Sequence, residues 1–180
     1  MRKWALQAGT GLAGVSLFLL ALMLAGRTAR QDLRDRDRFV VVFLDIDCPA
    51  PADMARSDFL SEVQYLTGMT SRLRLLDDDL PSRLREAFTR HPWVETVERV
   101  AILPGRVSID LVFRTPVLRI AQGGQVRVVD RHGILLPSTV TADGLPLLHT
   151  VAKVPGGPAG TPWGDPAVEE AARAAWLAQR

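Results

Sequence analysis

The sequence is poor in the residues on which most catalytic and metal centres depend. It holds a single cysteine, Cys48, so no intramolecular disulfide can form. No histidine is arranged to activate that thiol, and it reads as a buried, inert group. His91, His132 and His149 are scattered, and none stands at a metal-ligand spacing from another histidine or the cysteine. The glycine-rich stretch 156–160 lacks the Lys-Ser/Thr ending of a phosphate-binding loop and contains Pro158, so it reads as a flexible loop. No nucleophile elbow is visible. Asp77, Asp78 and Asp79 have no companion carboxylate or histidine cluster and read as a helix cap, not a metal site. An enzyme is therefore not expected, and neither is a cofactor or a metal. An excess of one charge sign is also missing. Twenty-two basic residues face 20 acidic ones, for a net charge of +2. The isoelectric point near 9.2 thus carries no expectation of nucleic-acid binding, which needs basic residues gathered on one face.

One stretch lacks charge altogether. Residues 4–25 contain no charged side chain, and 17–24 are almost purely aliphatic. As a helix these 22 residues would be about 33 Å long, enough to cross a hydrocarbon core of about 30 Å. A cleaved signal peptide has a shorter apolar region and a small-x-small site, whereas Met23-Leu24-Ala25 is a poor cleavage signal. The segment is expected to remain as an anchor in the lipid bilayer. Arg27, Arg30, Arg34, Arg36 and Arg38 outnumber Arg2 and Lys3. On the positive-inside count this favours a cytoplasmic C-terminal part, although long domains translocate largely regardless of nearby charge. Ala5, Gly9 and Ala13 recur every fourth residue, as do Thr10 and Gly14. That spacing suits a weak homodimer through the anchor, and equally reflects how common small residues are in membrane helices.

The composition is globular, with 47% hydrophobic and 23% charged residues over the whole chain of 180. Residues 27–38 form a charged linker. Residues 39–46, FVVVFLDI, read as a strand, ended by Pro49 and Pro51. Ser57 is the expected N-cap of a helix carrying Phe59, Leu60, Val63 and Leu66, stopped by Gly68. A second helix is expected after the three aspartates, with Pro81 in its first turn and Leu80, Leu84, Ala87 and Phe88 on one face. It ends at His91-Pro92, because the residue before proline leaves the α region. A strand over 94–102 and another from Val107 are joined by Leu103-Pro104-Gly105-Arg106, a type II turn. Val107, Ile109, Leu111 and Phe113 alternate with polar neighbours. Strands over 117–120, 125–129 and 134–136 come next, separated by Gly123-Gly124 and by Asp130-Arg131-His132-Gly133. Asp165-Pro166 opens a last helix with Val168, Ala172, Ala175 and Trp176 on one side. The order predicts an α+β layer, with both early helices on one face of a small sheet.

The order β-α-α-β-β is that of a POTRA module. The segment LREAFTRHPWV (84–94) and the VERV after it resemble the FtsQ/DivIB cell-division proteins. Pro104-Gly105 matches that family's hairpin turn, and Ser108-Ile109-Asp110-Leu111 its next strand. Arg114-Thr115-Pro116-Val117 is similar to its ERxPVA-like motif. Val128-Val129-Asp130 with Gly133 and Leu135 resembles its lVD..G.vl segment, and Leu145-Pro146-Leu147-Leu148 its LPxL. The resemblance implies a transmembrane helix with a short N-terminus (1–26), a linker (27–38), a POTRA-type domain (39–118) and an incomplete FtsQ-like β-domain with a C-terminal helix (119–180). It also implies an extracytoplasmic (periplasmic) domain on a single-pass inner-membrane protein at the division septum, with FtsB- and FtsL-like partners. Arg114, Thr115, Pro116 and Val117 are the expected partner-facing residues; the competing reading is that Pro116 and Val117 only shape the junction. Pro92, Trp93, Val94, Gly105, Asp130 and Gly133 read as fold determinants, with Trp93 filling the angle between helix and sheet. Pro116 is expected at an edge or bend. Two departures touch the partner surface: Phe113 stands where the family usually has Glu, and Asp47-Cys48-Pro49 where it has Val-x-Gly. The alternative function is a chaperone-like POTRA module in secretion or envelope assembly.

Overall fold

The structure, a computed structural model, describes residues 18, 21–23, 39–140, 142–149, 151 and 153–179. Among them no helix is long and apolar enough to cross a membrane. The apolar segment 4–25 lies outside the described residues apart from positions 18 and 21–23, which are helical, and so does the linker 27–38. From residue 39 onward the chain is a mixed α+β fold with three small sheets and two hydrophobic cores.

The first core is built by β1 (Val40–Val42), α1 (Arg56–Thr67), β2 (Arg72–Arg74), α2 (Leu80–Thr89), β3 (Val94–Leu103) and β4 (Arg106–Phe113). The strand expected over 39–46 is shorter than its composition suggests, because Phe43–Asp45 turn into a 3-10 helix. Phe43 and Ile46 are both fully buried. Three residues apart, they would face opposite ways in a strand, whereas a 3-10 turn aligns them. β2 has no signal in the sequence. It is one buried leucine, Leu73, between two exposed arginines, too short to show a period, and it forms only by pairing antiparallel with β1, Val41 opposite Leu73.

Two caps differ from expectation. α1 begins at Arg56, before Ser57, because the amides of Asp58 and Phe59 already donate to Ala55 O at 3.1 and 3.0 Å. Gly68 does end it, at φ 65°. Asp79 precedes α2 but sits in the α region and makes no side-chain cap, since capping needs an extended residue. Its carboxylate instead lies 3.7 Å from Arg83. The apolar face of α2 is as expected, with Leu80, Leu84, Ala87 and Phe88 all buried. Gly105, at φ 71°, supplies the positive angle that the type II turn between β3 and β4 requires. Phe59 stands at the centre of this core, 5.9 Å from Phe88 and edge-on to Phe113 at 5.6 Å.

The second core gathers β5 (Pro116–Gln122), β6 (Gln125–Asp130), β7 (Leu147–Leu148) and α3 (Pro166–Ala178). The strand order is β6-β5-β7, with β7 parallel to β5. Gly123 and Gly124 both have positive φ, 59° and 76°, as a two-residue hairpin turn demands. Ile134 and Leu135 form isolated bridges and Leu136 donates to Val128 O at 2.9 Å, in place of the strand expected over 134–136. α3 is capped as its sequence indicates, Asp165 Oδ1 accepting from Ala167 N at 3.1 Å. Val168, Ala172 and Ala175 pack inward beneath Val117, Ile120 and Val129. Trp163 is the largest side chain sealed in this core, at 1% exposure, and its indole donates to Lys153 O at 2.9 Å.

Candidate functional site

Two features stand out: the junction where the cores meet, and a strand edge left open. The junction begins at His91-Pro92, where α2 gives way to β3. Proline at 92 ends the helix, and the next strand starts two residues later. Trp93 sits at this corner between helix and sheet. It is only half-buried, and it is held through its backbone: its carbonyl accepts from Arg114 N at 2.8 Å, and its amide donates to the His91 ring. The interior position belongs to His91, which is 2% exposed and edge-on to Phe59 at 4.7 Å. A lone histidine beside a proline carries no sequence signal of such burial.

His91 is held in one tautomer. Its Nε2 is 3.1 Å from the Glu62 carboxylate, while Nδ1 accepts from Trp93 N at 3.3 Å. The ring is thus neutral with its hydrogen on Nε2. Burial pushes its pKa below the ordinary 6.5, and the hydrogen bond and charge of Glu62 oppose this. Glu62 is half exposed, so water screens its pull and burial wins. Between the folded and unfolded pKa values the unfolded chain binds more protons. Stability is therefore full above about pH 6.5 and falls as the pH drops through that value toward the folded one. We expect a lower urea midpoint at about pH 5.5 than at about pH 7.5, and a smaller difference in His91→Gln. An equal drop in both would show that His91 is not the group being titrated.

The four expected partner-facing residues lie next in the junction, and the structure gives them different surroundings. Arg114 is mostly buried, its Nη1 donating to Asp130 Oδ2 at 2.7 Å. Val117 is fully buried, and only Thr115 is exposed. Pro116 opens β5, the central strand of its sheet, where it bends the chain at a register shift. A first residue and a bulge are both positions that proline tolerates. Val117 is the extra residue of that bulge, which lets it and Leu118 enter the same core.

Asp130 is the organising residue of the turn that follows β6. At 1% exposure, its Oδ1 accepts from His132 N and Ile134 N at 2.8 and 2.9 Å. Gly133, at φ 71°, closes this turn against Glu169 of α3, whose Cγ would lie 3.0 Å from an added Cβ. Arg131 leaves the turn to pair with Glu95 of β3 and to lie 5.4 Å from the Trp176 ring. One side chain therefore ties the first core to α3. Gly160 sits so close to Pro92 that an added Cβ would be 3.2 Å from its Cα. Glu95, Arg131 and Gly160 carry no signal of these roles in the sequence, because partners 36 and 68 positions apart share no local pattern.

Cys48 is buried, and burial raises its thiol pKa to about 11, which leaves it protonated at neutral pH. Among the described residues no group of three or more His, Cys, Asp or Glu could hold a metal ion.

The open edge belongs to β3. Among the described residues it pairs with β4 alone, while the far side of β4 is closed by Asp47, whose amide donates to Val107 O at 2.9 Å. Glu95 and Glu98 are extra residues that bulge the first half of β3, and Arg85 donates to Val97 O. Bulges and charges blunt an edge. From Arg99 to Leu103 the register is regular, leaving a straight stretch for another strand.

These features define a two-core α+β protein with a braced junction and, among the described residues, an unpaired edge on β3. No protein-family model matches the chain. Over 86 residues, 48% of its length, it is 34% identical to the cell division protein FtsQ of Myxococcus fulvus. The match spans 30% of that protein, so the chain is similar to part of a cell division protein.

Proposed function

We propose that the chain is a non-enzymatic, single-pass membrane scaffold of the cell-division machinery. Residues 4–25 anchor it, and a POTRA-type unit with a partial FtsQ-like β-unit stands on the extracytoplasmic side at the septum. The observation that carries this reading is the 34% identity to a cell division protein, supported by the uncharged segment 4–25. The scaffold takes a partner segment of FtsB- or FtsL-like type by strand addition. The regular stretch from Arg99 to Leu103 suits that mode, because main-chain hydrogen bonds supply the affinity. Arg114 serves to hold the two units together through Trp93 O and Asp130, Val117 packs within the second core, and Thr115 is the member of that group open to a partner.

The test is localisation of a fluorescent fusion to the full-length chain in dividing cells of its source organism. A band at the constriction is expected, lost when segment 4–25 is replaced by a cleavable leader. An even distribution around the envelope, with normal division after gene deletion, would overturn the reading and favour a chaperone-like role.

A further inference from the structure

A cleft of about 590 Å³ opens beside β1 and β2, lined by Val40, Thr70, Arg72, Arg74, Asp77 and Arg83 among others. Three guanidinium groups share this concave surface with the Asp77 carboxylate, and Asp79 lies against Arg83, so these groups carry one excess positive charge. Arg72 and Arg74 flank buried Leu73 on the short strand β2, which holds their side chains on the same side of the pleat. Arg83 comes from the first turn of α2 and is about 40% exposed. It is drawn toward Asp79, at 3.7 Å. The amide of Leu80, where α2 begins, is occupied by Asp77 O at 3.1 Å, and the guanidiniums carry the site.

The geometry points to a binding site for the phosphate of an anionic lipid headgroup, formed by Arg72, Arg74 and Arg83. Guanidiniums match phosphate oxygens with paired N–H donors. The Arg83–Asp79 pair is exposed, and such pairs are weak and exchange readily. Position in the chain argues for lipid as the source. Val40, in the lining, follows Ala25 by fifteen positions. Fifteen residues span at most about 50 Å when fully extended, a tether that keeps the cleft within reach of the bilayer surface. This step rests on the proposed function, in which residues 4–25 anchor the chain. Bound headgroup would set the orientation of the first core relative to the membrane.

The test uses the full chain in lipid nanodiscs, either phosphatidylcholine alone or phosphatidylcholine mixed with phosphatidylglycerol. Hydrogen exchange is followed over residues 70–83. Exchange is expected to be on the order of fivefold slower in the anionic discs, the effect of about one arginine at a charged surface, and to speed up again as salt is raised. R72Q/R74Q/R83Q should lose the slowing, R83Q should lose part of it, and R173Q on α3 should keep it. Equal exchange in the two discs, with the chain inserted in both, would overturn this site alone. Slowing by inorganic phosphate in neutral discs, with no further effect of anionic lipid, would overturn the lipid assignment. Slowing retained in the triple variant would overturn the arginine assignment. A chain that fails to enter either disc would instead remove the anchored reading, and this inference with it.

Discussion

Asp130→Ala is expected to cost about 3–5 kcal/mol of stability, the range for removing one partner of a buried ion pair. The loss has two sources. Arg114, whose side chain is 15% exposed, would be left with its charge uncompensated, and its Nε already has no hydrogen-bond partner. The turn would also lose the acceptor that gathers His132 N and Ile134 N, and an orphaned buried donor costs about 1–3 kcal/mol. Asp130→Asn separates the two sources. It keeps an oxygen for the turn while removing the charge, so it should cost less than alanine. Urea unfolding of the detergent-solubilised full chain measures both. A double-mutant cycle with Arg114→Met should show coupling of about 0.5–3 kcal/mol. Additive losses, or an alanine variant within about 0.5 kcal/mol of the native chain, would mean that the pair does not brace the junction.

Trp163→Ala should cost about 3–5 kcal/mol, as large-to-small changes at sealed aromatic sites do. Trp163 is 1% exposed and packs with Val117, Ile120 and Val168. Trp163→Phe keeps most of the apolar volume and loses the indole bond to Lys153 O, a change of about 1 kcal/mol. Trp93→Ala should be the milder substitution, about 1 kcal/mol, because its ring is half-buried and its bonds to Arg114 and His91 run through its backbone. The ranking is the informative result. Were Trp93→Ala the more damaging, the anchor of the fold would lie at the helix-to-strand corner, as the sequence pattern suggests, and not in the second core.

The elements most legible in the sequence are those whose signals lie within about ten residues. α2 shows Pro81 at its start and a four-residue apolar face; Leu103-Pro104-Gly105-Arg106 names its own turn; Gly123-Gly124 does the same for the next hairpin; Asp165-Pro166 marks α3. The less legible features involve partners elsewhere. Phe43 looks like a strand residue until Ile46 must be buried beside it. Asp79 looks like a cap until its own backbone turns helical. Pro116 is expected at an edge or a bend, and it stands at a bend: it opens a central strand because Val117 bulges after it. Of the group 114–117, which stands out for its place after the hairpin, the structure leaves Thr115 open and turns Arg114 and Val117 inward.

By itself the sequence determined the α+β class, the order of most elements, the charge-free segment at the start, and the turns that glycine and proline dictate. Those follow from periodicity, backbone angles and hydrophobicity, which act over short distances along the chain. Only the tertiary structure decided that Trp163 and not Trp93 is sealed, that His91 is a buried neutral ring, and that Arg131 links Glu95 to Trp176. It also formed β2, which exists only because β1 lies beside it, and gathered Arg72, Arg74 and Arg83 around one cleft. Burial and charge pairing depend on which distant residues share a space, and no local pattern encodes that.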